Sequence, residues 1–312
     1  MTHKINVLKK AAPYLRMYKG EIFTVKIGGE VFSDEHTLDA FAEQAALLYN
    51  LGIRIVLVHG GGTAATELSK QLDIPVEKIN GRRVTSAETL EVAKMVFNGK
   101  LNTDLLAALG KHGVSCVGLS GVDADLIRAE RRPITRVTDA STGDTRDVDF
   151  GFVGDVVSVN PAVLQHLFEG DFVPVVSSMS GGEDGAVYNV NADTVAVRLA
   201  AALQARKLIL LTSAPGVLED ENDPMSLISH MNRERLEEVI ETSAVGGMRA
   251  KLEACRDALD RGVPRTHIVS GLKPDSLLVE VFTNEGCGTL IENIIAGPEA
   301  LSAIPKNGGA AK

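Results

Sequence analysis

The 312-residue chain contains no tryptophan, and aromatic residues make up only 4% of it. Base-stacking modes of single-strand nucleic-acid binding need aromatic platforms and are disfavoured. Cysteine is limited to Cys116, Cys255 and Cys287. Three scattered thiols form no paired disulfide framework, and no C-x-x-C is present to hold zinc. A reducing cytoplasm is therefore the expected setting. Positive charge is also short: 32 Lys and Arg face 41 Asp and Glu, for a net charge of -9. A binder of nucleic-acid backbone needs a basic face, which this balance does not supply. No run approaches ~18 apolar residues, so no membrane partner is expected. The opening stretch MTHKINVLKKAAPYLRMYKGE lacks the apolar core of a signal peptide.

What is present suits a globular protein. Hydrophobic residues are 45% and charged residues 23% of the chain, enough for a sizeable core. Short β-branched runs predict strands over Ile22–Ile27, Ile53–His59, Ser115–Leu119, Val173–Ser177, Leu208–Thr212, Thr266–Ser270 and Thr289–Ile291. Between them, Ala/Leu/Glu-rich segments predict helices over Asp39–Leu51, Thr63–Leu72, Ala87–Gly99, Lys100–His112, Pro161–Glu169, Asp193–Leu203, Arg233–Glu241 and Gly247–Arg261. Strands alternating with helices predict an α/β fold with a mainly parallel sheet, and the nearly all-apolar strands predict a sheet covered on both faces. The Thr-, Arg- and Asp-rich stretch Arg128–Asp149 breaks the rhythm and reads as a hairpin or flap on the surface. Its arginines 128, 131, 132, 136 and 146 could form an anion patch or simply lie solvated. Residues 1–19 predict a helix outside the β-α rhythm, interrupted by Pro13, and residues 305–312 read as a frayed tail.

Three glycine-rich turns follow predicted strands: TVKIGGE (Thr24–Glu30), VHGGGTA (Val58–Ala64) and VGLSG (Val117–Gly121). In an open parallel sheet, ligands gather at the strand carboxyl ends, where glycine lets backbone N–H groups approach an anion. Lys26 and His59 stand just before the glycines of the first two turns. Together the turns point to an anionic, phosphorylated ligand. No G-x-x-x-x-G-K-[ST] exists, which argues against a P-loop NTPase. Gly60-x-Gly62-x-x-Ala65 fits the loose dinucleotide fingerprint. The acidic strand end expected ~20 residues later is missing.

Phosphoryl transfer accounts better for the charges, because its catalysis is mostly positioning plus cations. Lys26 ends the first strand before Gly28-Gly29, and Lys251 lies one turn into the helix opened by GGMRAK. Asp193, at the start of a helix in YNVNAD, is either a plain N-cap or the group that fixes two ammonium groups.

Read in order, VKIGG, VHGGGT, NGRRVT, NGKLN, VGLSG, DFGFVGDV, YNVNAD, KLILLTSAPGVL, GGMRAK and SLLVEVFTNEGCGTLI resemble the amino-acid kinase superfamily, and within it the branch that phosphorylates N-acetyl-L-glutamate. The resemblance covers about residues 20–292. It implies a three-layer α/β/α sandwich with two lobes: residues 20–195 for the acyl amino acid and 196–304 for ATP, with Mg²⁺ accompanying the nucleotide. Mapped onto this chain, it makes Lys26 and Lys251 the catalytic lysines and Asp193 their organiser. Gly28 and Gly29 line the phosphoryl path with Gly61 and Gly62. Arg83 and Asn189 hold the substrate α-carboxylate, and Arg82 is left exposed. Thr212, Ser213 and Gly216 wall the nucleotide with Gly246, Gly247 and Met248. No protein ligand is assigned to the metal. Glu30 and Ser213 stand where the family pattern has other residue types. Kinases for other N-blocked acidic amino acids, such as aminoadipate or N-succinylglutamate types, and a non-catalytic sensor remain alternatives.

Arginine-sensitive members of that family carry an N-terminal helix with a similar Ala-x-Pro-Tyr stretch, which links dimers into a hexamer. The resemblance therefore implies a homo-oligomer inhibited by L-arginine, bound near Glu280, Gly286 and Gly288.

Overall fold

The structure is a computed structural model that describes residues 12–80, 82–138, 143–223 and 225–293. Residues 1–11 of the expected N-terminal helix and the expected tail lie outside the described residues; residues 12–18 are helical. Eight strands form one large sheet. In chain order they are β1 (Ile22–Ile27), β2 (Arg54–His59), β3 (Cys116–Ser120), β4 (Val173–Ser177), β5 (Lys207–Thr212), β6 (His230–Met231), β7 (Arg265–Ser270) and β8 (Thr289–Glu292). Their spatial order is β6-β8-β7-β5-β1-β2-β4-β3. All neighbours pair in parallel except β7 and β8. Every expected strand is found within one residue at each end; β6, only two residues long, has no apolar run to announce it.

The two-residue period of a strand divides its side chains between the faces. Val58, Leu208, Leu210 and Ile268 point to one face, where they meet the helices Ala192–Ala202 and Gly246–Asp260 through Val195, Leu199, Leu252 and Leu259. Val25, Ile55, Leu57, Ile209 and Leu211 point to the other, against the helices Glu35–Asn50, Asn102–Lys111 and Ser276–Phe282. Two apolar cores on one sheet make three layers, as expected. Residues 12–18 join the second core: Tyr18 is buried edge-on against Phe23, with ring centroids 5.1 Å apart.

Two expectations are corrected. The helices expected at Ala87–Gly99 and Lys100–His112 are one continuous helical path. Between Ala87–Lys94 and Asn102–Lys111 runs a wider π-helical segment, Met95–Leu101. Gly99 suggested a break, but the helical path passes through it. The Arg128–Asp149 stretch is only partly a hairpin, formed by Thr135–Thr138 and Thr145–Val148. Its first residues belong to a second, four-stranded sheet through Ile127–Arg131. The anion patch is not assembled, because Arg128, Arg131, Arg132 and Arg146 pair with Glu183, Asp149, Asp155 and Glu77.

Candidate active site

Lys26 is the penultimate residue of β1 and sits beside Leu210 of β5 and Val58 of β2. Both neighbours belong to the first core, so the strand period turns Lys26 toward the helices Ala192–Ala202 and Gly246–Asp260. Asp193 lies in the first turn of one, Lys251 near the start of the other. Lys26 Nζ is 2.9 Å from Asp193 Oδ1, and Lys251 Nζ is 3.4 Å from Asp193 Oδ2. All three side chains are nearly buried. Burial pushes the Asp193 carboxyl up, but the two ammonium groups outweigh it and hold its pKa below the usual carboxylate range. Asp193 is not the cap: Asn191 is, accepting from the Asp193 N–H at 2.7 Å. Lys251 leads the buried stripe that continues through Cys255 and Leu259, so its reach to Asp193 is fixed by helix packing.

His59 does something else. It is the last residue of β2, level with Ile27, and so points to the face opposite Lys26. There it is fully buried, and burial lowers its pKa to about 4. Its Nδ1 lies 2.9 Å from the Gly60 carbonyl, and Nε2 lies 3.1 Å from Asn102 Nδ2. A neutral ring donating from Nδ1 and accepting at Nε2 satisfies both contacts. Asn102 also donates to the Val175 carbonyl at 3.2 Å. The π-helical segment carries Asn98, which accepts from Ser177 Oγ at 2.5 Å, and ends just before Asn102. The His59–Asn102 pair thus braces the second glycine turn from behind. The sequence pattern groups His59 with Lys26 before the glycine turns and assigns Asn102 no role; register separates the two, since His59 is level with Ile27.

The glycines have distinct reasons. A β-carbon on Gly61 would stand 2.5 Å from the Phe97 ring, so packing demands glycine there, whereas Gly62 faces open space at the start of the helix Gly62–Gln71. Arg83 reaches this turn, donating to Gly62 O at 2.6 Å and Thr66 Oγ1 at 2.5 Å, while Arg82 is exposed. Asn189 donates to Thr85 Oγ1 at 3.2 Å, two residues beyond Arg83. Gly28 and Gly29 lead from β1 into the short 3-10 helix Gly29–Phe32. The third turn is structural: a β-carbon on Gly118 would strike Asn102, and one on Gly121 would strike Met179 and Ile127. Thr212 ends β5 on the Lys26 face, and Ser213 follows it exposed. Gly216 is held by packing, since a β-carbon would come 2.7 Å from Leu227 and Thr289. Gly246, with φ of 52°, opens the Lys251 helix with Gly247, and Met248 packs on the first core.

Glu280 is 6% exposed and its carboxylate is already engaged. Oε1 lies 2.7 Å from His267 Nδ1, and Oε2 accepts from the N–H groups of Cys287 and Gly288 at 2.8 and 2.9 Å. Burial raises this carboxyl, but His267 and those N–H groups outweigh it and hold it at about 2. His267 Nε2 meets Lys207 Nζ at 3.0 Å, and Lys207 lies over the Tyr18 ring. Gly286, with φ of 62°, has no room for a β-carbon beside Glu280 Oε2.

A lysine pair bridged by one buried aspartate, beside two glycine turns at the ends of parallel strands, presents cations and backbone N–H groups that suit an anionic ligand. The family model described as "Amino acid kinase family" matches residues 21–270. The chain belongs to the amino acid kinase family. An acetylglutamate kinase from Myxococcus xanthus is 50% identical over 92% of this chain and 93% of its own length. One from Methanothrix thermoacetophila is 40% identical over 93% and 99%. Among solved structures, an N-acetylglutamate synthase from Neisseria gonorrhoeae, complexed with coenzyme A and N-acetyl-glutamate, aligns at 25% identity with a TM-score of 0.80. That alignment covers 96% of this chain and 67% of the synthase. The carbamate kinase of Giardia shares the fold, with a TM-score of 0.63 at 14% identity over 88% of this chain and 99% of its own. No described helix is long and apolar enough to cross a membrane.

Proposed function

We propose that this amino acid kinase transfers the γ-phosphoryl group of ATP to the γ-carboxylate of N-acetyl-L-glutamate, giving an acyl phosphate for arginine synthesis in the cytoplasm. The observation that carries it is the Lys26–Asp193–Lys251 bridge, in a chain 50% identical to an enzyme of that name. The acceptor carboxylate is ionised at neutral pH, so no general base is needed. What remains is charge: negative charge spreads over the transferred group, and Lys26 and Lys251 neutralise it from two sides. Asp193, held ionised, keeps the two ammonium groups from repelling each other and fixes their spacing. Arg83 and Asn189 take the substrate α-carboxylate beside Gly61 and Gly62. A guanidinium fork suits that carboxylate. Gly28 and Gly29 line the phosphoryl path. Residues 196–304, through Thr212, Ser213, Gly216 and Gly246–Met248, hold the nucleotide.

Among the described residues, no cluster of three or more His, Cys, Asp or Glu is arranged to hold a metal on its own. Mg²⁺ needs no such cluster, since it binds through substrate phosphates with one or two carboxylates. One carboxylate fits: Glu30, in the turn after β1, has a buried Oε1 without a hydrogen-bond partner. When bound, Mg²⁺ neutralises phosphate charge on ATP.

A hydroxamate assay for acyl phosphate tests the reading with N-acetyl-L-glutamate, N-acetyl-aminoadipate and N-succinyl-L-glutamate as acceptors. Product is expected with the first. Product only with another acid would move the substrate, and product with none would favour a sensor.

Regulation by L-arginine is proposed on two grounds. The Neisseria synthase is also known complexed with L-arginine, in a structure aligning at 25% identity and a TM-score of 0.80 over 93% of this chain. Glu280, Gly286 and Gly288 lie with Lys207 and Tyr18 where residues 12–18 meet the sheet. The ligand guanidinium would compete for a carboxylate now held by His267 and backbone. Arginine should inhibit the native chain, and Glu280→Gln should abolish the response. A hexameric assembly through the N-terminal helix is checked by sedimentation of a chain lacking residues 1–11, because a longer cut would strip Tyr18 from the core.

A further inference from the structure

The Glu30 carboxylate occupies an unusual place. Gly28 and Gly29 carry the chain off the end of β1, and the 3-10 helix Gly29–Phe32 then crosses toward β7. Two close approaches mark that crossing. A β-carbon on Gly271, the residue after β7, would lie 2.9 Å from Val31 Cγ2 and 3.8 Å from Glu30 Oε1. A β-carbon on Gly28 would lie 2.0 Å from the same Oε1. The carboxylate is therefore folded back over the glycine turn, between Gly28 and Gly271. The Gly60–Gly62 turn and Arg83 lie on the β2 side of β1. Gly271 is itself tied to the nucleotide side, its N–H donating to Thr212 O at 2.8 Å.

Oε1 is buried and has no hydrogen-bond partner. Leaving a buried acceptor unpaired costs about 1–3 kcal/mol, and more for a charged group. A group that meets this oxygen in the working enzyme removes the penalty. The phosphates of ATP cannot be that group, since two anions in contact repel. A divalent cation carried by those phosphates can. We propose that Glu30 is the protein ligand of the divalent cation that enters with the nucleotide. This rests on the nucleotide-side assignment given above. The carboxylate fills the space that a β-carbon on Gly28 would take. Phosphate oxygens and water would supply the rest of the cation's ligands, as suits Mg²⁺.

The test uses Mn²⁺ as the probe, with the full chain and a non-hydrolysable ATP analogue. Free Mn²⁺ is titrated by electron paramagnetic resonance at saturating analogue in the native chain, Glu30→Gln and Glu30→Asp. Glu30→Gln is nearly isosteric and keeps the turn packed; circular dichroism checks that it folds. Mn²⁺ affinity in the ternary complex is expected to fall about tenfold or more in Glu30→Gln, with partial recovery in Glu30→Asp. Analogue affinity without metal should hold or improve, because a negative charge has been removed. Mn²⁺ affinity unchanged in Glu30→Gln, with metal-free analogue binding improved, would make Glu30 only a repulsive wall and overturn the inference. Failure of the native chain to bind the analogue at all would instead overturn the nucleotide-side assignment beneath it.

Discussion

Lys26 Nζ and Asp193 Oδ1 are 2.9 Å apart, yet the residues stand on a strand and a helix 167 positions distant in the chain. The same aspartate meets Lys251 at 3.4 Å, so one carboxylate spaces two cations. With its pKa held below the ordinary range by those cations against burial, Asp193 stays charged at neutral pH. As a carboxylate it pairs with both ammonium groups.

Lys26→Met and Lys251→Met should each cut turnover ~10²-fold or more, the scale of losing one preorganised donor. Both chains should remain folded, because neither lysine contributes to an apolar core. Steady-state kinetics together with circular dichroism check this, and near-native turnover in a folded variant would remove the residue from the site.

Arg83→Ala should raise the Michaelis constant for the acyl amino acid far more than that for ATP. Arg83 donates to Gly62 O and Thr66 Oγ1 on the β2 side of the sheet, away from Thr212. A change confined to the ATP constant would place the acyl substrate on the other side.

Much of this arrangement is legible in the sequence, and for a physical reason. The apolar strand runs specify a sheet covered twice, and glycines after β1 and β2 mark the strand ends where ligands gather. Lys26, Asp193 and Lys251 are local features with a readable position. What the chain does not announce is which face a side chain takes when a strand's pattern is apolar throughout. His59 and Lys26 precede similar glycine turns, yet register sends them to opposite faces. Asn102 was hidden because Gly99 reads as a helix break, while the helical path continues through a wider turn. Glu280 reads as a free acid until tertiary packing gives both its oxygens partners.

His59 and His267 are both buried and lowered from 6.5 to about 4. The unfolded chain then binds more protons than the folded chain between pH 6.5 and 4. Their contribution is complete above the unfolded value and is lost as pH falls through that window, at up to about 1.4 kcal/mol per pH unit for each group. Urea unfolding from pH 7 downward should show this slope. His59→Gln should remove about half of the part due to the two histidines; an unchanged slope would mean that His59 titrates normally in the fold.

Asn102→Ala leaves His59 Nε2 and the Val175 carbonyl buried without their donor. The expected loss is about 1–3 kcal/mol of unfolding free energy, with a raised Michaelis constant for the acyl amino acid as the Gly60–Gly62 turn loosens. Urea midpoints and initial rates check both. Native stability would show that the pair does not brace the turn.

Lys26, Asp193 and Lys251 are proposed to act as one unit on the transferred phosphoryl group. A double-mutant cycle on the single-turnover transfer rate tests it most directly, comparing Lys26→Met, Asp193→Asn and the double variant with the native chain at saturating ATP and N-acetyl-L-glutamate. Residues acting as a unit are strongly non-additive, so the double variant should be about as slow as the slower single variant. Losses that multiply across the cycle would mean that Asp193 and Lys26 contribute independently, and would contradict the account.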